Sequence, residues 1–134
     1  MSGKLSTHVL DTVHGCPAQG VKLELWAIAD DTDHKQGQNK QGQNKVLLKT
    51  LYTNQDGRTD ELLLNDAEIK IGIYEICFYV SDYFAKFPDC ANPTNSKISF
   101  LGQVPIRFGI TDASDRYHVP LLVSPWSYST YRGS

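Results

Sequence analysis

The chain has 134 residues, enough for one domain and too few for a second core. With 40% hydrophobic and 21% charged residues it has the composition of an ordinary globular protein rather than a disordered one. A net charge of -2 argues against a general nucleic-acid binder, and no run approaches the roughly 18 apolar residues of a membrane-spanning helix, so neither nucleic acid nor membrane is expected as a partner.

Along the chain the dominant hydrophobic period is two, the signature of strands with one buried face. In a first strand over 4–11, Leu5, Thr7 and Val9 take one face, which leaves Ser6, His8 and Leu10 on the other. The turn His14-Gly15-Cys16-Pro17 follows. Val21, Leu23, Leu25 and Ala27 then alternate with Lys22, Glu24 and Trp26. A tandem repeat over 35–45, the pentapeptide Gln36-Gly37-Gln38-Asn39-Lys40 written twice, is polar and aperiodic and reads as a mobile, solvated loop inside the single domain 1–134.

Residues 46–54 and 70–80 are rich in β-branched and aromatic types and read as strands. Between them, Gly57 of the turn Asn54-Gln55-Asp56-Gly57 supplies a positive-φ position, and Arg58 is expected to enter the next strand at its rim. Paired with Asp56 or Asp60, Arg58 would be only a surface arginine. One short helix is expected, capped by Ser81 or Asp82, running through Lys86 and stopped by Pro88. Asn92-Pro93 and Ser124-Pro125 mark further turns.

Val104, Ile106, Phe108 and Ile110 alternate with Pro105, Arg107 and Gly109. In the strand over 116–123, Tyr117, Val119, Leu121 and Val123 take one face, so His118 shares the other with Pro120 and Leu122. Two strands thus each present a histidine among apolar neighbours, which matters only if the strands are adjacent. The last strand, 127–132, has tyrosines alternating with small polar residues where chain ends are usually dispensable. Many short strands with turns between them indicate an all-β sandwich or barrel.

Cys16, Cys77 and Cys90 cannot all pair within one chain and show no Cys-x-x-Cys spacing, so they are expected to be reduced thiols. His8 and His118 supply only two of the three protein ligands that catalytic zinc usually needs, so no metal is expected there. No apolar leader precedes Leu10 and Arg132-Gly133-Ser134 is not a peroxisomal address, which points to the cytoplasm.

Taken in order, Leu5-Ser6-Thr7-His8-Val9-Leu10-Asp11 with Gly15, Pro17-Ala18 and Gly20-Val21, then Asp56-Gly57-Arg58, then Tyr117-His118-Val119-Pro120-Leu121-Leu122-Val123-Ser124-Pro125, and finally Tyr131-Arg132-Gly133-Ser134, resemble the signatures of the hydroxyisourate hydrolases of the transthyretin-like family. The departures are Trp126-Ser127, where an aromatic residue followed by Gly is expected, and the tandem insertion. The resemblance implies two four-stranded sheets packed face to face with one short helix. It also implies a homotetramer, a dimer of dimers with sites in the cleft where dimers meet.

The activity it implies is cofactor-free hydrolysis of 5-hydroxyisourate to 2-oxo-4-hydroxy-4-carboxy-5-ureidoimidazoline in urate breakdown. Carried over by position, His8 and His118 would activate water and move protons. Arg58 would orient substrate and stabilise negative charge. Tyr131, Arg132 and Gly133 would line the site, with Ser134 bonded to a histidine or the water. The alternative is a transthyretin-type carrier of small molecules, which has no need of this set.

Overall fold

The computed structural model describes residues 3–29, 44–90 and 97–133. The elements in chain order are β1 (Lys4–Asp11), β2 (Cys16–Pro17), β3 (Lys22–Ile28), β4 (Lys45–Tyr52), β5 (Gly72–Tyr79), α1 (Val80–Phe84), a 3-10 turn (Pro88–Cys90), β6 (Gln103–Ile110), β7 (Arg116–Val123) and β8 (Tyr128–Thr130). The strands make two four-stranded sheets, β2-β1-β7-β8 and β4-β3-β5-β6. No helix among the described residues is long and apolar enough to cross a membrane.

The period-two pattern dictates how these sheets close. Leu5, Val9, Leu121 and Val123 from one sheet and Leu23, Leu25, Ile76, Phe78 and Val104 from the other are at most 1% exposed and form the shared core. Each such side chain contributes roughly 1.5–3 kcal/mol through the apolar surface it removes from water. Thr7 and Asp11 are the polar residues on the inward face of β1, and the Thr7 hydroxyl donates to the Val119 carbonyl at 2.6 Å.

One pairing was beyond reach of the sequence pattern. β1 and β7 are neighbours and run parallel, with Ser6 opposite His118 and His8 opposite Pro120. The other ladders are antiparallel.

Several expectations require correction. Cys16–Pro17 is a two-residue strand on β1, not only a turn. The helix starts directly out of β5 with Tyr79 at its N-cap and no side-chain cap, so Ser81 and Asp82 lie inside it. Buried Val80 anchors that start, and the Ser81 amide donates to the Gly102 carbonyl at 3.1 Å instead of to a cap. Pro88 opens the 3-10 turn. Of the tandem repeat, Asn44 and Lys45 are described: Asn44 accepts from Ala29 N at 2.8 Å, and Lys45 begins β4. The remainder of the repeat and the Asn92-Pro93 turn lie outside the described residues.

Arg58 does not enter a strand. Residues 53–71 form an irregular segment that covers the flank of β1 away from β7. Leu5 exchanges hydrogen bonds with this segment through Leu63 and Leu64, and Val9 N donates to Gly57 O at 2.8 Å. The carbonyls and amides that a strand neighbour would satisfy are therefore taken up by a loop, pinned by the buried side chains of Leu63 and Leu64.

Candidate active site

Because β1 and β7 pair in register with their outward residues aligned, Ser6, His8 and His118 stand on the same outer face of one sheet. His8 lies two residues further along than His118. Ser6 sits directly opposite His118, and its Oγ is 2.8 Å from His118 Nδ1. A hydroxyl can donate to that nitrogen or accept from it, so it can serve either tautomer and leaves Nε2 outside this bond.

The closing strand completes this face. Gly133 bridges to His118, with its N–H donating to the His118 carbonyl at 2.7 Å. A β-carbon at position 133 would lie 2.7 Å from His118 Cδ2. Glycine is the residue that lets the chain end lie against the imidazole. Tyr131, two residues earlier, is largely exposed, at 61%.

The loop over β1 brings the guanidinium. Gly57 has φ +77°, and a β-carbon there would meet Val9 O at 2.5 Å and His8 Cδ2 at 3.1 Å. The turn is thus seated against the His8 ring, and Arg58 follows at once. Asn54 Oδ1 accepts from the amides of Asp56 and Arg58 and stabilises the turn. Its amide group engages Asp60 at 2.9 Å, and among the described residues Arg58 forms an ion pair with neither Asp56 nor Asp60.

Burial holds the His118 imidazole below its ordinary pKa, reinforced by the positive charge of Arg58 and then by His8 and Lys4. A ring in that setting is neutral at physiological pH and able to accept a proton.

The structure does not bring the Arg132 guanidinium to this group. It lies 4.2 Å above the Tyr117 ring, donates to the Arg116 carbonyl at 2.9 Å and pairs with Asp115 at 3.1 Å. Arg132 lines a cavity of about 330 Å³ with Phe108, Val119 and also Tyr131. Ser134 lies outside the described residues. Ser6 is the residue missed by reading the sequence, since only the parallel register shows that it faces His118.

A model of the HIUase/Transthyretin family matches residues 5–133. The chain is 46% identical to a 5-hydroxyisourate hydrolase of Halalkalibacterium halodurans, covering all of both chains. It is 44% identical to a 5-hydroxyisourate hydrolase of Pseudomonas aeruginosa, covering 98% of this chain and 92% of the relative. Among solved structures it is similar to the 5-hydroxyisourate hydrolase of Klebsiella pneumoniae, at 30% identity and a TM-score of 0.66, covering 98% of this chain and 99% of the other.

Proposed function

We propose that this chain, which belongs to the HIUase/Transthyretin family, hydrolyses 5-hydroxyisourate in urate breakdown on the outer face of the sheet β2-β1-β7-β8. The observation that carries the reading is the alignment of His8 and His118 on paired parallel strands, with the turn that leads into Arg58 seated against the His8 ring.

Opening a cyclic amide needs a water made nucleophilic, a carbonyl oxygen that can bear negative charge, and a proton for the departing nitrogen. His118, kept neutral by burial and by nearby cations, takes the proton from water as its oxygen bonds to the ring carbonyl carbon. Arg58 faces the developing oxyanion with its planar fork of donors. The carbon–nitrogen bond then breaks, and His8 delivers a proton to the nitrogen. Transfer of the proton on His118 back to His8 through solvent restores both rings, so one water is consumed and nothing else.

Substrate contact at the chain end falls to Tyr131, to the backbone of Gly133 and to Ser134 in this reading, while Arg132 fastens the strand to Asp115 and Tyr117. In one chain Ser6, His8 and His118 are only partly buried. A homotetramer, built as a dimer of dimers, would cover them by setting two such faces against each other and excluding bulk water. Exposed Tyr131 and Trp126, at 61% and 63%, support such an assembly.

The test is the ultraviolet decay of freshly generated hydroxyisourate with and without the protein. Acceleration that scales with protein concentration supports the reading, and decay at the spontaneous rate overturns it. A carrier would bind the compound and leave its decay unaccelerated.

A further inference from the structure

At the opposite end of β1 from Lys4 lies a second cluster of chemistry-bearing side chains, which the proposed hydrolysis does not use. His14, Asp89 and Cys90 each offer one donor atom, and these atoms lie within 4.8 Å of one another. We propose that they form a binding site for a zinc-type divalent cation, tying the β1–β2 turn to the segment after α1.

The donor set selects the metal class. An imidazole nitrogen, a carboxylate oxygen and a thiolate sulfur suit zinc or cobalt, whereas calcium and magnesium take oxygen ligands. One thiolate and one carboxylate balance a doubly charged ion. In tetrahedral zinc, with nitrogen and sulfur at about 2.0 and 2.3 Å from the metal, donors stand roughly 3.3–3.6 Å apart. His14 Nε2 and Asp89 Oδ2 are 2.9 Å apart and no donor pair exceeds 4.8 Å, so pairs need to open by about 0.4 Å or close by up to about 1.3 Å around the ion. Three protein ligands leave the fourth position to water.

The imidazole is oriented as a metal ligand is. His14 Nδ1 lies 2.6 Å from Asp11 Oδ2, and the same carboxylate oxygen accepts from the Tyr83 hydroxyl at 2.7 Å. Asp11 Oδ1 accepts from the Val13 and His14 amides. Asp11 is fully buried, so the outer partner of the histidine is rigid. A ligating histidine almost always gives its second ring N–H to such a carboxylate. Phe87 packs on the ring at 4.6 Å between centroids, which leaves Nε2 aimed at Asp89. The 3-10 turn Pro88–Cys90 brings the other two donors together. His14 and Asp89 are 75 residues apart, so no metal-type spacing exists in the sequence.

The experiment loads the purified full chain with Co²⁺, then measures Zn²⁺ affinity by competition with a chromophoric chelator. The proposal expects one equivalent per chain and a thiolate-to-cobalt charge-transfer band in the near ultraviolet. That band persists in Cys16→Ser and disappears in Cys90→Ser. In Asp89→Asn, an exposed change that keeps the fold, zinc affinity falls by at least about tenfold while hydroxyisourate decay is unchanged. Absence of the band in the unmodified chain, its survival in Cys90→Ser, or zinc binding weaker than micromolar overturns the proposal. Binding without the band leaves Cys90 out of the coordination and equally overturns it.

Discussion

Ser6 Oγ stands 2.8 Å from Nδ1 of His118, across the one parallel strand pair of the described sheets. The hydroxyl can accept from Nδ1–H while Nε2 takes a proton from water, and it can donate to Nδ1 when the tautomer reverses. Removing it in Ser6→Ala should lower kcat by roughly fivefold, the worth of about 1 kcal/mol for one such bond. KM should change little, and Ser6→Thr should recover part of the loss because the hydroxyl returns. A drop in melting temperature without a drop in kcat would show that the bond serves only the fold.

The acid limb of the pH–rate profile should belong to His118. Its pKa is depressed below the ordinary imidazole value of about 6.5, so the neutral base persists at neutral pH and is lost only as pH falls through that lowered value. Arg58 opposes protonation of His118, so Arg58→Ala should move the limb to higher pH while also lowering kcat. Added salt should shift the unmodified enzyme in the same direction by screening that charge. A limb that stays in place in Arg58→Ala would remove the guanidinium from the neighbourhood of the imidazole.

Two glycines hold the site in shape. Gly57→Ala forces a side chain into a positive-φ position and onto the Val9 carbonyl at 2.5 Å, so roughly 1–3 kcal/mol of stability should be lost together with activity. Gly133→Ala sets a methyl against the His118 ring near the end of the chain, where fewer groups depend on it. Its melting temperature should stay close to that of the unmodified protein while turnover falls. Thermal unfolding paired with hydroxyisourate decay separates the two cases.

Arg132→Ala should behave as a stability change. The guanidinium is half-exposed, so its ion pair with Asp115 is screened by solvent and, with the ring contact, contributes modestly to stability. A fall of a few degrees in melting temperature with less than about a threefold change in KM is expected. A large rise in KM with unchanged stability would return Arg132 to the substrate.

Alternation along β1 and β7 already separated Leu5, Thr7 and Val9 from His8, and Tyr117 and Val119 from His118, because a sheet with one buried face prints its parity on the sequence. It could not show that the strands are adjacent and parallel, since pairing depends on contacts more than a hundred residues apart. Ser6 falls on the His8 face by the same parity, but its pairing with His118 is hidden for the same reason. Arg58 was placed correctly after a glycine turn but wrongly at a strand entrance: a loop satisfies the Val9 and Leu5 backbone as well as a strand would, and no local pattern distinguishes the two. The helix cap failed because β5 runs straight into α1, where burial of Val80 outweighs the preference for a capping side chain.

The central claim is that the two imidazoles on this sheet face carry out the hydrolysis. Its most direct test is the rate of hydroxyisourate disappearance at neutral pH with His8→Ala and with His118→Ala, each checked for an unchanged melting temperature. A fall in kcat of about 10²–10⁴-fold in both variants is predicted. Near-normal turnover in either folded variant would contradict the account.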